Sequence, residues 1–255
     1  MKNSRPKVGL FVTCLVDLVR PQIGFAAVTL LEAAGCDVTV PEDQTCCGQP
    51  AWNAGADRHA QVIARDTVRL FEEFDYGVAP SGSCAGMLRR HYPEVLKDDP
   101  EFAPRARALA AKSHELMSFL VRERGMKVVN AKCDTSVCYH DSCSSLREMG
   151  VKAEPRALLN SVEGLSIREL SEPQVCCGFG GLFSVKYPEI SERMGDDKIA
   201  DAQATGADLL VGGDLGCLLH LAGRMKRKGL RMKVRHAAEV LAGMTDVPPL
   251  GEEPA

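Results

Sequence analysis

The sequence lacks any uninterrupted apolar run near the roughly 18 residues that a membrane-spanning helix needs. Its first residues, Met1-Lys2-Asn3-Ser4-Arg5-Pro6, carry neither an apolar core of signal-peptide length nor a small-residue cleavage pattern. A cytoplasmic protein is therefore expected, in a reducing compartment where disulfides do not persist. An excess of one charge is missing as well. The net charge is -3 at pH 7 and the pI about 6.1, which gives no overall attraction to nucleic acid or to anionic membrane. No Cys-x-x-Cys pair occurs, so the two-knuckle pattern of a zinc site is absent. No spacing supports a Ser-His-Asp set or a Cys-His pair. Gly178-x-Gly180 begins like a dinucleotide fingerprint, but Phe183 stands where the third glycine belongs. No flavin site, general base or carboxylate clamp is identifiable by spacing, so no catalytic residue is assigned.

What the chain does have is cysteine, eleven in 255 residues. Eight of them fall into one frame written twice. Cys14 is followed after 31 residues by the adjacent pair Cys46-Cys47, and after 36 more by Cys84. Cys143 is followed after 32 residues by Cys176-Cys177, and after 39 more by Cys217. Both pairs continue into glycine, as Cys46-Cys47-Gly48 and Cys176-Cys177-Gly178. A repeated frame at a nearly fixed offset implies two equivalent folding units, here residues 1-125 and 126-255. Cys36, Cys133 and Cys138 have no counterpart in the other half and read as small buried hydrophobes.

The frame falls on a regular pattern of elements. Lys7 to Thr13 is a short apolar strand ending at Cys14, a helix is predicted over Gln22 to Ala34 with Gly35 as its stop, and Cys36 to Val40 reads as a second strand. A long helix from about Ala54 to Phe74 leads to a third strand at Tyr76 to Pro80, which delivers Cys84. Residues 93 to 107 read as a connection and Leu109 to Arg124 as an amphipathic helix bridging the halves. The second half repeats the plan with strands at Thr135 to His140, Leu165 to Leu170 and Ala207 to Val211, a helix near Glu189 to Ala204, and a possible fourth strand at Lys233 to His236. The tail from Val247 to Ala255 is expected to be disordered. Alternation of strand and helix indicates an α/β fold of two pseudo-repeated, open parallel-sheet (Rossmann-like) units related by internal duplication. Ligands bind beyond the carboxyl ends of the strands in such sheets, which is where the cysteines fall.

Four thiolates suit either tetrahedral zinc or an iron-sulfur cluster. Adjacent cysteines present two thiolates to one object with several metal atoms, which favours the cluster and leaves zinc as the alternative in one half. Gly48 and Gly178 would let backbone N–H groups approach such a group, and Gly82, Gly212, Gly213 and Gly216 are further candidates for that role or for tight turns. His140-Asp141 reads as a satisfied core histidine beside a helix-start aspartate, the alternative being a proton shuttle or a hydrogen bond to cluster sulfur. Arg224 to Arg235 forms a basic run that reads as a solvated helix end.

With both frames in view, the sequence resembles the cysteine-rich CCG-domain family, shared by the heterodisulfide reductases and the iron-sulfur subunits of glycerol-3-phosphate and glycolate oxidation systems. The residues that carry the likeness are Pro80 to Met87, Cys176 to Gly181 and Gly212 to His220. Within the family they are similar to a branch serving L-lactate utilisation. The resemblance implies a cytosolic system that oxidises L-lactate to pyruvate, in which this chain acts beside a ferredoxin-like iron-sulfur subunit and a third, smaller subunit. It implies metal ligands at Cys14, Cys46, Cys47 and Cys84 and at Cys143, Cys176, Cys177 and Cys217. The full family motif ends in Cys-x-x-Cys, whereas Met87 and His220 occupy the last places here. The missing fifth cysteines argue for an ordinary 4Fe-4S centre in each half and against a heterodisulfide-reductase-like thiol or disulfide oxidoreductase. His220 is then a possible ligand or a residue supporting one. The expectation is an oxidoreductase component that moves electrons and has no self-contained active site, with a zinc-binding scaffold subunit as the alternative.

Overall fold

Two compact units, divided between Gly125 and Met126, make up the computed structural model, which describes residues 5–252. In the first unit β1 (Lys7–Leu10) leads through α1 (Cys14–Val19) and α2 (Gln22–Ala33) to β2 (Asp37–Thr39). The short α3 (Gln49–Asn53) and the long α4 (Asp57–Phe71) then return the chain to β3 (Tyr76–Ala79). After it come α5 (Gly82–Gly86), a π-helical turn at Met87–His91, α6 (Tyr92–Val95), α7 (Phe102–Ala111), β4 (Ser113–Glu115), the single turn α8 (Leu116–Ser118) and a second π-helical turn at Phe119–Glu123. All strands run parallel in the order β2-β1-β3-β4.

The second unit repeats this arrangement with β5 (Lys132–His140), α9 (Cys143–Arg147), α10 (Ala153–Leu159), β6 (Glu163–Ile167), α11 (Leu182–Lys186), α12 (Pro188–Ala204), β7 (Leu209–Gly212), α13 (Leu215–Arg227), β8 (Lys233–His236) and α14 (Ala237–Leu241). Its parallel order, β6-β5-β7-β8, is the same pattern. The registers also correspond: Val8 faces Tyr76 across β1 and β3, and Val137 faces Leu209 across β5 and β7. The chain order reverses between β1 and β3, and again between β5 and β7. That reversal opens a crevice at the carboxyl ends of the two central strands.

The sheets form because both faces of each central strand are covered. Val8, Leu10 and Val78 are fully buried, as are Val137, Leu210 and Val211, which matches the apolar runs that buried parallel strands require. The crossover helices bury one stripe. In α4 it is Ala60, Ala64, Thr67, Val68 and Phe71, and in α12 it is Ser191, Gly195, Lys198, Ile199 and Ala202. Both follow the helical period, and each position in α12 lies 131 residues after its partner in α4.

Two stretches differ from the sequence-based expectation. The bridging helix expected at Leu109 to Arg124 is broken by β4, and the connection before it contains α6 and α7. Ser-His-Glu carries no apolar signal for a strand, yet Ser113 and Glu115 are buried. Their burial is tolerated because the Ser113 hydroxyl donates to the Leu109 carbonyl at 2.8 Å and Glu115 accepts from the Ser118 amide at 2.9 Å. The tail is also more ordered than expected up to residue 252. Leu250 is buried, its amide donates to the Val234 carbonyl, and Arg235 donates to the carbonyls of Thr245 and Val247. Residues 253–255 lie outside the described residues.

Gly9 in β1 gives a test of this packing. A Cβ there would lie 2.6 Å from Phe74 Cδ2 and 2.9 Å from Phe71 Cε1, and Phe71 is fully buried. Overpacking of this kind costs about 1–3 kcal/mol. Gly9→Ala is expected to lower the thermal midpoint by several degrees, read by circular dichroism, and an unchanged midpoint would contradict the packing described.

Candidate metal centres

Each crevice collects the four cysteines of its own unit. The chain leaves β1 into Cys14 at the first position of α1, and leaves β3 into Cys84 on α5. The segment after β2 brings in Cys46 and Cys47. Side-chain hydrogen bonds join Cys14 to Cys46, Cys46 to Cys47, and Cys47 to Cys84. In the second unit Cys143 opens α9, Cys217 lies in the first turn of α13, and the same contacts join Cys143 to Cys176, Cys176 to Cys177, and Cys177 to Cys217. Cys47, Cys84, Cys177 and Cys217 are buried, whereas Cys14, Cys46, Cys143 and Cys176 are partly open to solvent. Cys36 and Cys138 are fully buried elsewhere and Cys133 is half-buried.

The local backbone favours negative sulfur. Gly48 N–H donates to Cys46 Sγ and Gly178 N–H to Cys176 Sγ, both at 3.4 Å. The two glycines sit at φ 83° and 86°, a region that costs residues with a Cβ. At Gly178 a Cβ would also stand 2.5 Å from the Ser191 carbonyl oxygen, whereas at Gly48 the nearest atom is Ile63 Cγ2 at 3.3 Å. Hydrogen bonds from Cys14 and Cys47, followed by the Gly48 amide, hold Cys46 well below the usual thiol range. Cys176 is lowered in the same way by Cys143, Cys177 and Gly178. The neighbouring donors are pushed up, because each gives its proton toward a thiolate and is desolvated. This donor set of four convergent thiols with inward amides fits an iron-sulfur cluster in each unit. Gly82 and Gly216 lie in the first turns of α5 and α13, where N–H groups have no partner within the helix, and a Cβ on Gly216 would strike the Phe179 ring at 2.4 Å.

Around these frames the two units diverge. In the first, the buried Tyr92 hydroxyl donates to the Cys47 carbonyl at 2.9 Å and lies 3.1 Å from Thr67 Oγ1. This support for the pair gave no sequence signal. Met87 is fully buried in the core, and His220 is half-buried with its ring 6.2 Å from Phe179. In the second unit His140 is 1% exposed, and neither ring nitrogen has a hydrogen-bond partner among the described residues. It is therefore not a satisfied core histidine. Its ligating nitrogen and the Sγ atoms of Cys177 and Cys217 all lie within 4.8 Å of one another. Burial, then the nearby Lys198 charge, pulls the imidazole down to about 4, so the ring is neutral. Asp141 does not start a helix; Ser142 caps α9, and the Asp141 carboxylate takes a bidentate pair from Arg156 at 2.9 and 2.8 Å. Lys198, fully buried on α12, donates to the Glu172 carbonyl. A lysine on the apolar stripe of a helix was the sequence signal that could have marked it. The basic run is partly neutralised, since Arg224 and Lys228 pair with Asp196.

Comparison with known proteins places the geometry in context. The family model described as the cysteine-rich domain, CCG, matches residues 8–89 and again 137–222. The lactate utilization protein A of Halalkalibacterium halodurans is 47% identical over 92% of this chain and 96% of its own length. The protein of the same name from Bacillus subtilis is 47% identical over 92% of this chain and 98% of its own. A crystal structure of a hypothetical protein from Helicobacter pylori superposes with a TM-score of 0.64 at 14% identity, over 97% of this chain and 52% of that one, and shares the fold.

The thiol chains set an order of reactivity. In reduced, metal-free protein at pH 7, Cys46 and Cys176 are expected to be alkylated first, because they carry the thiolate and are partly open. Cys47 and Cys177 are expected to react last. Time-resolved mass spectrometry checks this, and earlier modification of Cys47 or Cys177 would contradict the charge distribution.

Proposed function

Because the chain belongs to the cysteine-rich CCG-domain family, alongside the lactate utilization protein A of Bacillus subtilis, we propose that it is an iron-sulfur electron-transfer subunit of a cytoplasmic system oxidising L-lactate to pyruvate. The observation that carries the reading is the gathering of eight cysteines into two sets of four, each at the crevice of its own parallel sheet. Cys14, Cys46, Cys47 and Cys84 would hold one 4Fe-4S cluster and Cys143, Cys176, Cys177 and Cys217 the other. A bound cluster supplies one-electron transfer there. The chain's own part is to fix the thiolates, to aim Gly48 and Gly178 amides at them, and to keep Cys47 and Cys177 from water.

Direct binding of lactate finds less support. The cavity of about 540 Å³ beside Cys14 and Cys46 is lined by Asp17 and Glu42 and by no cationic side chain. Such a lining repels a carboxylate that an Arg or Lys would clamp. The two sets of thiolates would hold two one-electron centres, enough for the two electrons that each lactate gives up, and the partners would be a ferredoxin-like iron-sulfur subunit and a third, smaller subunit. Among the described residues no helix is long and apolar enough to cross a membrane. A zinc-binding scaffold remains the second reading, because His140, Cys177 and Cys217 lie at ligand spacing in the second unit.

Protein purified without oxygen is expected to be brown and to carry about eight irons and eight sulfides per chain, as two 4Fe-4S clusters require. Cys46→Ser and Cys176→Ser should each lose about half of the iron; stoichiometric zinc, or full iron in either variant, would remove that half from the reading.

A separate assay tests the function. The isolated chain should not oxidise lactate with an artificial acceptor, whereas the chain with its partners should, and Cys177→Ser should abolish that activity. Turnover by the chain alone would move the active site into this subunit.

A further inference from the structure

Resting on the reading of both frames as iron-sulfur sites, we propose that His140 is an N–H donor to sulfur at the second centre, and that this hydrogen bond makes the centre hold an electron more tightly than it would without it.

Two observations carry the proposal. The His140 ring is buried with both nitrogens unpartnered among the described residues, and it lies beside Cys177 and Cys217. A buried polar group left unpaired costs about 1–3 kcal/mol. Such a group is retained where its partner is not a protein atom. A neutral imidazole has one N–H to give, and the acceptor we assign to it is sulfur at the frame, where Cys177 and Cys217 Sγ lie within 4.8 Å of a ring nitrogen.

The second observation is the residue at the same place in the other unit. His140 precedes Cys143 by three positions, and Phe11 precedes Cys14 by three. Phe11 is fully buried, packs on Phe71 at 5.8 Å and offers no donor. Duplicated strands thus put hydrocarbon beside one frame and a hydrogen-bond donor beside the other.

The charges nearby act in both senses. Lys198, in the place that Thr67 takes in the first unit, pairs with Asp201 at 3.9 Å and bears on Cys176 and Cys177, while the buried Asp214 bears on Cys143 and Cys217 with the opposite sign. Reduction adds one negative charge to a centre. A hydrogen-bond donor stabilises the reduced state more than the oxidised one, so the His140 N–H raises the potential of the second centre.

The experiment uses the full chain prepared without oxygen, titrated with a reductant and followed by electron paramagnetic resonance, with Cys176→Ser and Cys46→Ser isolating the first and second centres. His140→Leu should shift the reduction equilibrium of the second centre downward by about tenfold or more, which is about 59 mV for one electron. The first centre and the iron content should not change, and His140→Gln, which keeps an N–H donor, should restore most of the shift. An unshifted potential in His140→Leu with full iron overturns the proposal. Loss of half of the iron in His140→Leu makes the residue a ligand and overturns the donor role. Absence of iron from both frames is a different result, which overturns the iron-sulfur reading and the proposal with it.

Discussion

Thiolates crowded into a half-buried crevice repel one another, and the rest of each unit is arranged around tolerating that repulsion. Four cysteines are brought into side-chain contact at the ends of two central strands and one crossover segment. Without metal the charge settles on Cys46 and Cys176, where a glycine amide and two neighbouring thiols donate to it. A bound cation or cationic cluster core would replace those shared protons and remove the conflict. The sheet supplies the rigidity, since each strand end is fixed by the strands beside it, and the left-handed glycines supply the amides.

Much of this was legible in the residues. The frame could be read because cysteine spacing is unambiguous, and the central strands because Val8 to Leu10 and Leu209 to Val211 are unbroken apolar runs. The parallel order followed from the alternation of strand and helix. β4 was not legible, because Ser113, His114 and Glu115 have no β pattern and their burial depends on partners from α7 and α8. Nor was the state of His140, which depends on Lys198 from a helix 58 positions away and on the Arg156 pair that occupies its neighbour Asp141. Local sequence reports periodicity; it does not report which polar atom is left over once distant elements have packed.

Duplication explains why the differences matter. Two copies of one scaffold keep their sheet order, register and thiol contacts, while positions one residue layer away are free to change. Phe11 against His140, Thr67 against Lys198 and Met87 against His220 are changes of this kind. None of them alters a cysteine of the frame, and each alters the polarity around one. A pair of frames built on a single plan thereby acquires two environments without any rearrangement of backbone.

The all-parallel sheets also bear on how the protein matures. Within each frame the ligands come from three places in the chain, and more than 30 residues separate Cys14 from Cys46 and Cys47 from Cys84. A parallel crossover cannot bring such distant segments together until its helix has docked, and pairings of high sequence separation form late. A nascent segment therefore offers at most two adjacent thiols, too few to retain a cluster. Any metal would have to load after the sheet has closed, and every folded but unloaded molecule would hold the four thiols of a frame assembled, with Cys14 and Cys46, or Cys143 and Cys176, open to oxidation.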